Sequence, residues 1–535
     1  MLSIRSSKHI LAATVAAAAL MAAWPAAAEN PPAYLANFPN FAPNLTPAQL
    51  PGDVDTTLKK KLDADRKFAE VQRLFDLWSW QAFVSLNWPT DKPGHPLSDA
   101  KDYSAAPPDW TLWTESTDVF RPKGERPPVC GKSAAELLTF ALTPTAPTVP
   151  PVRGLEAFKL PPEFNGRKTR LLGNISAVGE VNAVNPGQPN AVNQLADINQ
   201  AFSGPLVDQN GNFVYYEILI DPHEVKYICD NNLYSIDGQI QFAAKGGKVT
   251  LPSGVDTQDS SGAFELKLAW KILTAGDDPA RYLTLPAIVA TAVNGKQVET
   301  QVTVGLVGMH IAHKSDSSPQ WIWATFEQVD NLEVDAVAHP GLKPSFFDPG
   351  CEICVPNQEP HKNPDGSWTN SPKTQASRGV PIPKDKQDLN AQARLVLAKI
   401  GSPLQYYQLI DTQWPTEPKA PPSPWNAGLP DAITNKPGGH PTPVYLTNIT
   451  METYFQKGVQ SACRQEETPG NLDCPPPPIT YPAPGTISDG TKVFGTESCM
   501  GCHSSAGIYI SDSQQPKKSG QLTGDFSWLF TQKAQ

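Results

Sequence analysis

Near the end of this 535-residue chain stands ESCMGCHSSAG, residues 497–507. Within it Cys499, Cys502 and His503 have the types and spacing that carry the most specific chemistry in the sequence. In Cys-x-x-Cys-His the two intervening residues set the thiols apart by about the separation of the haem vinyl groups, to which they add as thioethers, and the next position offers imidazole to the iron. With 8 Cys and 9 His in the chain, composition alone yields about 0.002 such matches, so coincidence is set aside. The competing readings are a Cys-x-x-Cys disulfide, or half of a zinc site, that precedes a histidine. A second haem of this kind is excluded by motif: in Cys351-Glu352-Ile353-Cys354 the next residue is Val355. That pair reads as a structural disulfide, with metal binding or redox cycling as its alternatives.

The second axial position on such an iron separates electron transfer from small-molecule chemistry. Of the 5 methionines, only Met309 and Met451 lie outside the leader and the motif. Met451 ranks first as a distal ligand, because its segment runs through a Pro-rich loop to Cys499; core filling is the bland alternative. His310 and His313 in VGMHIAH sit three apart on a strand pattern, so their side chains fall on opposite faces and cannot serve one metal together. Each is expected to be a satisfied polar histidine. The aromatic groups WSW (78–80) and WIW (321–323) are expected in the core. No Gly-rich nucleotide loop, Ser-His-Asp signature or HExxH sequence supplies a second catalytic centre.

The leader agrees with the motif. Arg5 and Lys8 precede an apolar run from Ile10 to Trp24, and Ala26-Ala27-Ala28 offers a signal-peptidase site, so cleavage is expected near Ala28/Glu29 and the mature chain in the periplasm or secreted. No later stretch has the length and apolarity of a membrane helix. Removing Arg5 and Lys8 from the 43 basic residues against 53 acidic ones leaves about −12, and no basic face is apparent, so nucleic acid is excluded as a partner. Cysteine-rich export points to disulfides. The six cysteines outside the motif, Cys130, Cys229, Cys351, Cys354, Cys463 and Cys474, allow 15 pairings; Cys463 with Cys474 is the single pairing expected from proximity.

The elements that must position the motif are read as follows. Residues 29–55 are Pro- and Asn-rich and extended. Phe68, Val71, Phe75, Trp78 and Ala82 recur at helical spacing within 56–87, which ends at Trp88-Pro89. A short helix is expected at 133–142. The stretches 212–220, 262–273, 281–293, 303–314 and 320–330 read as strands, with Asn210-Gly211 as a hairpin turn. Residues 340–385 read as loop, and 386–400, 405–415 and 447–463 as helices. Strands without intervening helices favour an α+β protein with a central antiparallel sheet or sandwich, flanking helices and long Pro-rich loops, 56 prolines being about twice the usual share. The expected organisation is a signal peptide (1–28), a helical and loop region (29–165), a β-rich core (166–340), a loop-rich and helical region (341–444) and a C-terminal haem-binding segment (445–535).

Through Cys499, Cys502 and His503 the chain resembles c-type cytochromes, which implies one covalent haem c with His503 as proximal ligand. It is also similar to the cytochrome P460 and c′-β group, in which the motif lies at the C-terminus of a mainly antiparallel β-protein and an Asp-aromatic segment follows, as GDFSWLF (524–530) does here. The family's haem-linked lysine cannot be placed in this sequence. Two functions follow as expectations: a monohaem electron carrier serving a periplasmic redox partner protein, or a haem oxidoreductase, P460-like or peroxidase-like, with an open distal site for a small-molecule substrate. A haem-based small-molecule binding protein is a further alternative.

Overall fold

The computed structural model describes residues 50–92, 95–97, 106–140, 170–173, 198, 200, 204–256, 261–293, 296–364, 368–416, 418–419, 441–443, 446–454, 499–504, 506–510 and 524–535. The leader and the expected Cys463–Cys474 pair lie outside them. Described helices are α1 (Thr56–Ala64), α2 (Phe68–Leu86), α3 (Ser116–Val119), α4 (Ala134–Phe140), α5 (Pro222–Asp230), α6 (Ile236–Ala244), α7 (Lys384–Lys399), α8 (Cys499–His503) and α9 (Leu529–Lys533). Strands are β1 (Thr90–Lys92), β2 (His95–Pro96), β3 (Thr114–Glu115), β4 (Arg170–Gly173), β5 (Tyr215–Ile220), β6 (Phe264–Ile272), β7 (Thr284–Val293), β8 (Lys296–His313), β9 (Ile322–Gln328), β10 (Tyr407–Pro415) and β11 (Pro441–Thr442). Among the described residues no helix is long and apolar enough to cross a membrane.

The architecture is α+β, built on a large antiparallel sheet in the order β11-β10-β9-β8-β6-β5-β3. One edge of the long β8 is shared end to end by β9 and β7, and β4 adds to β7 as a parallel strand. The strand stretches expected from sequence lie where β5 to β9 are found, because β-branched and aromatic residues alternate there between two covered faces. The sheet also recruits β3 from the N-terminal region and β10 from the region after 341.

On one face, Leu266 and Leu268 of β6, Met309 and Ile311 of β8, and Phe326 of β9 pack under α2 and α7. From Leu74 onward α2 is buried on nearly every side, its buried polar residues Asp76 and Ser79 being paired with Lys386 and Thr412; Trp78 and Trp80 are fully buried. The helix expected over 56–87 is two helices, since Arg66 at the end of α1 adopts a left-handed φ of 56°, the common way of ending a helix. At its other end Asn87 caps α2, its Nδ2 donating to Phe83 O, before Trp88-Pro89. Ser133 and Glu136 form a reciprocal capping box at the start of α4.

Three expectations change. Residues 405–415 form β10 rather than a helix: the unpaired edge of β9 takes six of its residues into register, from Tyr407↔Gln328 to Gln413↔Trp323, and this tertiary demand outweighs a helical pattern only eleven residues long. Of the helix expected at 447–463, residues 447–452 form a turn, Thr453 and Tyr454 are helical, and 455–463 lie outside the described residues. Helices α5 and α6 were not anticipated, although Asp221 with Pro222 and Ser235 are start signals that do cap them.

Two disulfides tie the described chain. Cys130–Cys229 links residues 99 apart, and Cys351–Cys354 closes a four-residue loop. By loop entropy the first contributes at most about 5 kcal/mol and the second about 2.

Candidate haem-attachment site

The opposite face of the sheet carries the motif. Alternation along the strands sends Glu265 and Lys267 of β6, Gly308, His310 and Ala312 of β8, and Trp323, Thr325 and Glu327 of β9 to this side, in register with one another. The expected divergence of the two histidines is found. His313 enters the α2 face, stacked on Phe264 at 3.9 Å and near Trp78 at 5.2 Å, with its two ring nitrogens 3.0 Å and 2.6 Å from the carbonyls of Ala263 and Gly52. His310 faces the motif side. Met309 is buried under α2, where its sulfur accepts a hydrogen bond from Asn87.

Met500 docks α8 on this face: its N–H donates to Gln413 Oε1 at 2.7 Å and its side chain is fully buried. Cys499, Cys502 and His503 are half-buried beside it. His503 lies against the Trp323 ring, centroids 4.4 Å apart, and its Nδ1 is 2.8 Å from the Phe526 carbonyl. That bond places a proton on Nδ1 and leaves Nε2 as the nitrogen available to a metal.

The Phe526 carbonyl is aimed by uncommon backbone. Asp525 and Phe526 have φ of 51° and 69°, and Trp321, whose indole donates to Asp525 O at 2.9 Å, has φ of 68°. Non-glycine residues in the left-handed region are kept there only where their surroundings dictate it. Asp525 supplies this by accepting from Leu251 N–H and from the Lys314 ammonium. Just before it, a side chain at Gly524 would strike the Gly507 backbone at 2.8 Å, so the two segments approach where only glycine fits. The tail then buries Phe526, Leu529 and Phe530 among α5, Val119 and Phe120. The motif segment therefore packs on the sheet and has no core of its own among the described residues.

Above the motif, the 446–452 turn brings Glu452 to His310. Glu452 Oε1 lies 2.8 Å from His310 Nε2, and Oε2 accepts the Asn448 N–H. His310 Nδ1 is buried and has no hydrogen-bond partner among the described residues. Burial would raise the Glu452 carboxyl, but His310 and Lys267 together hold it below the usual range. The same groups reach the motif. His503 is pushed down to about 4, first by burial and further by His310 and Lys267, with the Phe526 carbonyl and Glu452 opposing. Burial and then Glu452 raise the Cys499 thiol.

The structure thus brings Cys499, Cys502 and His503 together. Met451 lies elsewhere, fully buried with Tyr216, Val307 and Phe346 in a cluster separate from that of Met500; its neighbour Glu452 is the residue that reaches the motif. Trp323, Lys267 and Glu452 escaped the sequence reading as site residues. Trp323 was legible only as one of an aromatic group, and nothing local marks Glu452. No protein-family model, curated protein or solved structure matches this chain, so the reading of the site rests on its geometry.

Proposed function

We propose that the protein is a periplasmic or secreted monohaem c-type cytochrome that takes part in electron transfer or redox chemistry, with Cys499 and Cys502 as thioether donors and His503 as the proximal iron ligand. The observation that carries this reading is the His503–Phe526 bond: within a Cys-x-x-Cys-His helix it occupies Nδ1 and leaves Nε2 for a metal, as a haem ligand requires. The two disulfides elsewhere fit an oxidising compartment. Haem bound there would supply one-electron chemistry at iron. The chain's part is to fix the ring of His503 through Phe526, to shield it with Trp323, and to offer this face to a redox partner protein or a small molecule. Replacing Cys499 and Cys502 together by Ala tests the assignment: covalent haem staining on a denaturing gel is expected to vanish, and staining that persists overturns it.

The Glu452–His310 pair favours a second reading, a haem oxidoreductase with an open distal position. A carboxylate holding one imidazole nitrogen, with the other unpartnered, is an arrangement able to accept or return a proton. Visible spectra separate the readings: low-spin iron indifferent to carbon monoxide marks the carrier, and high-spin iron that binds it marks the enzyme. For the enzyme, His310→Gln is expected to lower turnover while haem attachment stays intact.

A further inference from the structure

We propose that Cys351 and Cys354 form a thiol–disulfide exchange site that accepts two electrons from a dithiol protein, independently of haem. Their disulfide sits in a surface loop whose two feet are held by other bonds. At one foot Asp348 N–H donates to Gln375 Oε1, and Gln375 Nε2 donates back to Asp348 O. At the other, Asn357 N–H donates to Gln375 O, Asn357 Nδ2 donates to Ser377 O, and Ser377 N–H donates to Asn357 Oδ1. The Cys351 N–H also closes a turn on Asp348 O. The loop path is thereby set without the disulfide. A four-residue ring restrains little of the unfolded chain, in contrast to Cys130–Cys229, which joins residues 99 apart and buries Cys229.

Accessibility gives the ring its direction. Cys354 is exposed and Cys351 half-buried. Ile353 and Val355, on either side of Cys354, are 92% and 54% exposed, so the attacked sulfur is framed by apolar surface that a docking protein would cover. A partner thiolate attacks Cys354 Sγ, the Cys351–Cys354 bond breaks, and Cys351 leaves as a thiolate that takes a proton from water. The partner's second thiolate then attacks the mixed disulfide and releases Cys354. The partner dithiol is oxidised to its disulfide, and two cysteine thiols are formed here. Exposed disulfides of this kind are the labile ones.

The test uses the full-length native protein with dithiothreitol as the dithiol, quenched with N-ethylmaleimide and mapped by peptide mass. Cys351 and Cys354 are expected to become labelled at about tenfold lower dithiothreitol than Cys130 and Cys229, with tryptophan fluorescence unchanged. Resistance until Cys130–Cys229 also opens, or unfolding on reduction, overturns the proposal. In single variants, Cys354 left by Cys351→Ser is expected to form a mixed disulfide with glutathione disulfide severalfold faster than Cys351 left by Cys354→Ser. Equal or reversed rates overturn the assignment of Cys354 as the attacked sulfur.

Discussion

Replacing Asp525 by Ala removes the group that holds the carbonyl behind His503. In the folded protein Asp525 is 8% exposed and Lys314 4%, and they are joined as an ion pair. Burial raises the Asp525 carboxyl, with Lys314 and the Leu251 N–H drawing it back. Alanine strands the Lys314 ammonium among buried groups, a loss of about 3–5 kcal/mol. It also leaves the Leu251 N–H without its acceptor, about 1–3 kcal/mol. Because both losses occur at one carboxylate they do not add, and about 4 kcal/mol is the expected total. Asn is the informative control. It tolerates the left-handed φ of 51° at this position and keeps the acceptor for Leu251, so Asp525→Asn should cost about half as much. Urea unfolding followed by tryptophan fluorescence reads the stability, and haem staining with the ferric spectrum reads the site. The expectation is a stepwise loss, wild type above Asn above Ala, in both. An Asp525→Ala protein within about 1 kcal/mol of wild type, or one with an unaltered haem spectrum, would refute the claim that this turn orients His503.

Further outcomes follow from the same structure. Lys386 lies 2.9 Å from Asp76 and 3.5 Å from Asp411 in the interior between α2, α7 and β10, and Asp411 is pushed up to about 8 by burial, Lys386 opposing and Asp76 adding to the shift. The folded state thus holds a proton there that the unfolded chain releases above about pH 4, so this contribution to stability falls by about 1.4 kcal/mol per unit as pH rises toward 8. His313 and His503, both lowered to about 4, act in the opposite sense below their ordinary pKa of 6.5. Between pH 6.5 and 8 the raised His223, held up first by its hydrogen bond to Asp221, acts in the same sense as the buried carboxyls, so Asp411→Asn should reduce the slope there without abolishing it; an unchanged slope removes Asp411 as a source. Met451→Ala should cost about 2–5 kcal/mol through the cavity it opens beside Tyr216, Val307 and Phe346. The near-infrared charge-transfer band of sulfur-ligated ferric haem should not distinguish that variant from wild type, whereas a band lost only in the variant makes Met451 the iron ligand.

The sequence by itself carried the motif on which the proposed haem attachment rests, and most of the sheet. Cys499, Cys502 and His503 are legible because thioether formation and ligation demand three residue types at fixed short spacing. Strands β5 to β9 are legible because the two-residue period of the pleat is written locally in each stretch, and the divergence of His310 from His313 follows from the same period. What surrounds the motif was decided only by tertiary structure. Strand β10 forms because β9 has an edge to fill, a demand invisible within residues 405–415. Glu452 meets His310 across 142 positions, Phe526 turns its carbonyl to His503 on backbone held by Asp525 and Trp321, and Met451 goes to a core cluster while its neighbour faces His310. Such meetings depend on register across strands and on which face a segment covers. These are properties of the packed sheet, and no short window of sequence encodes them.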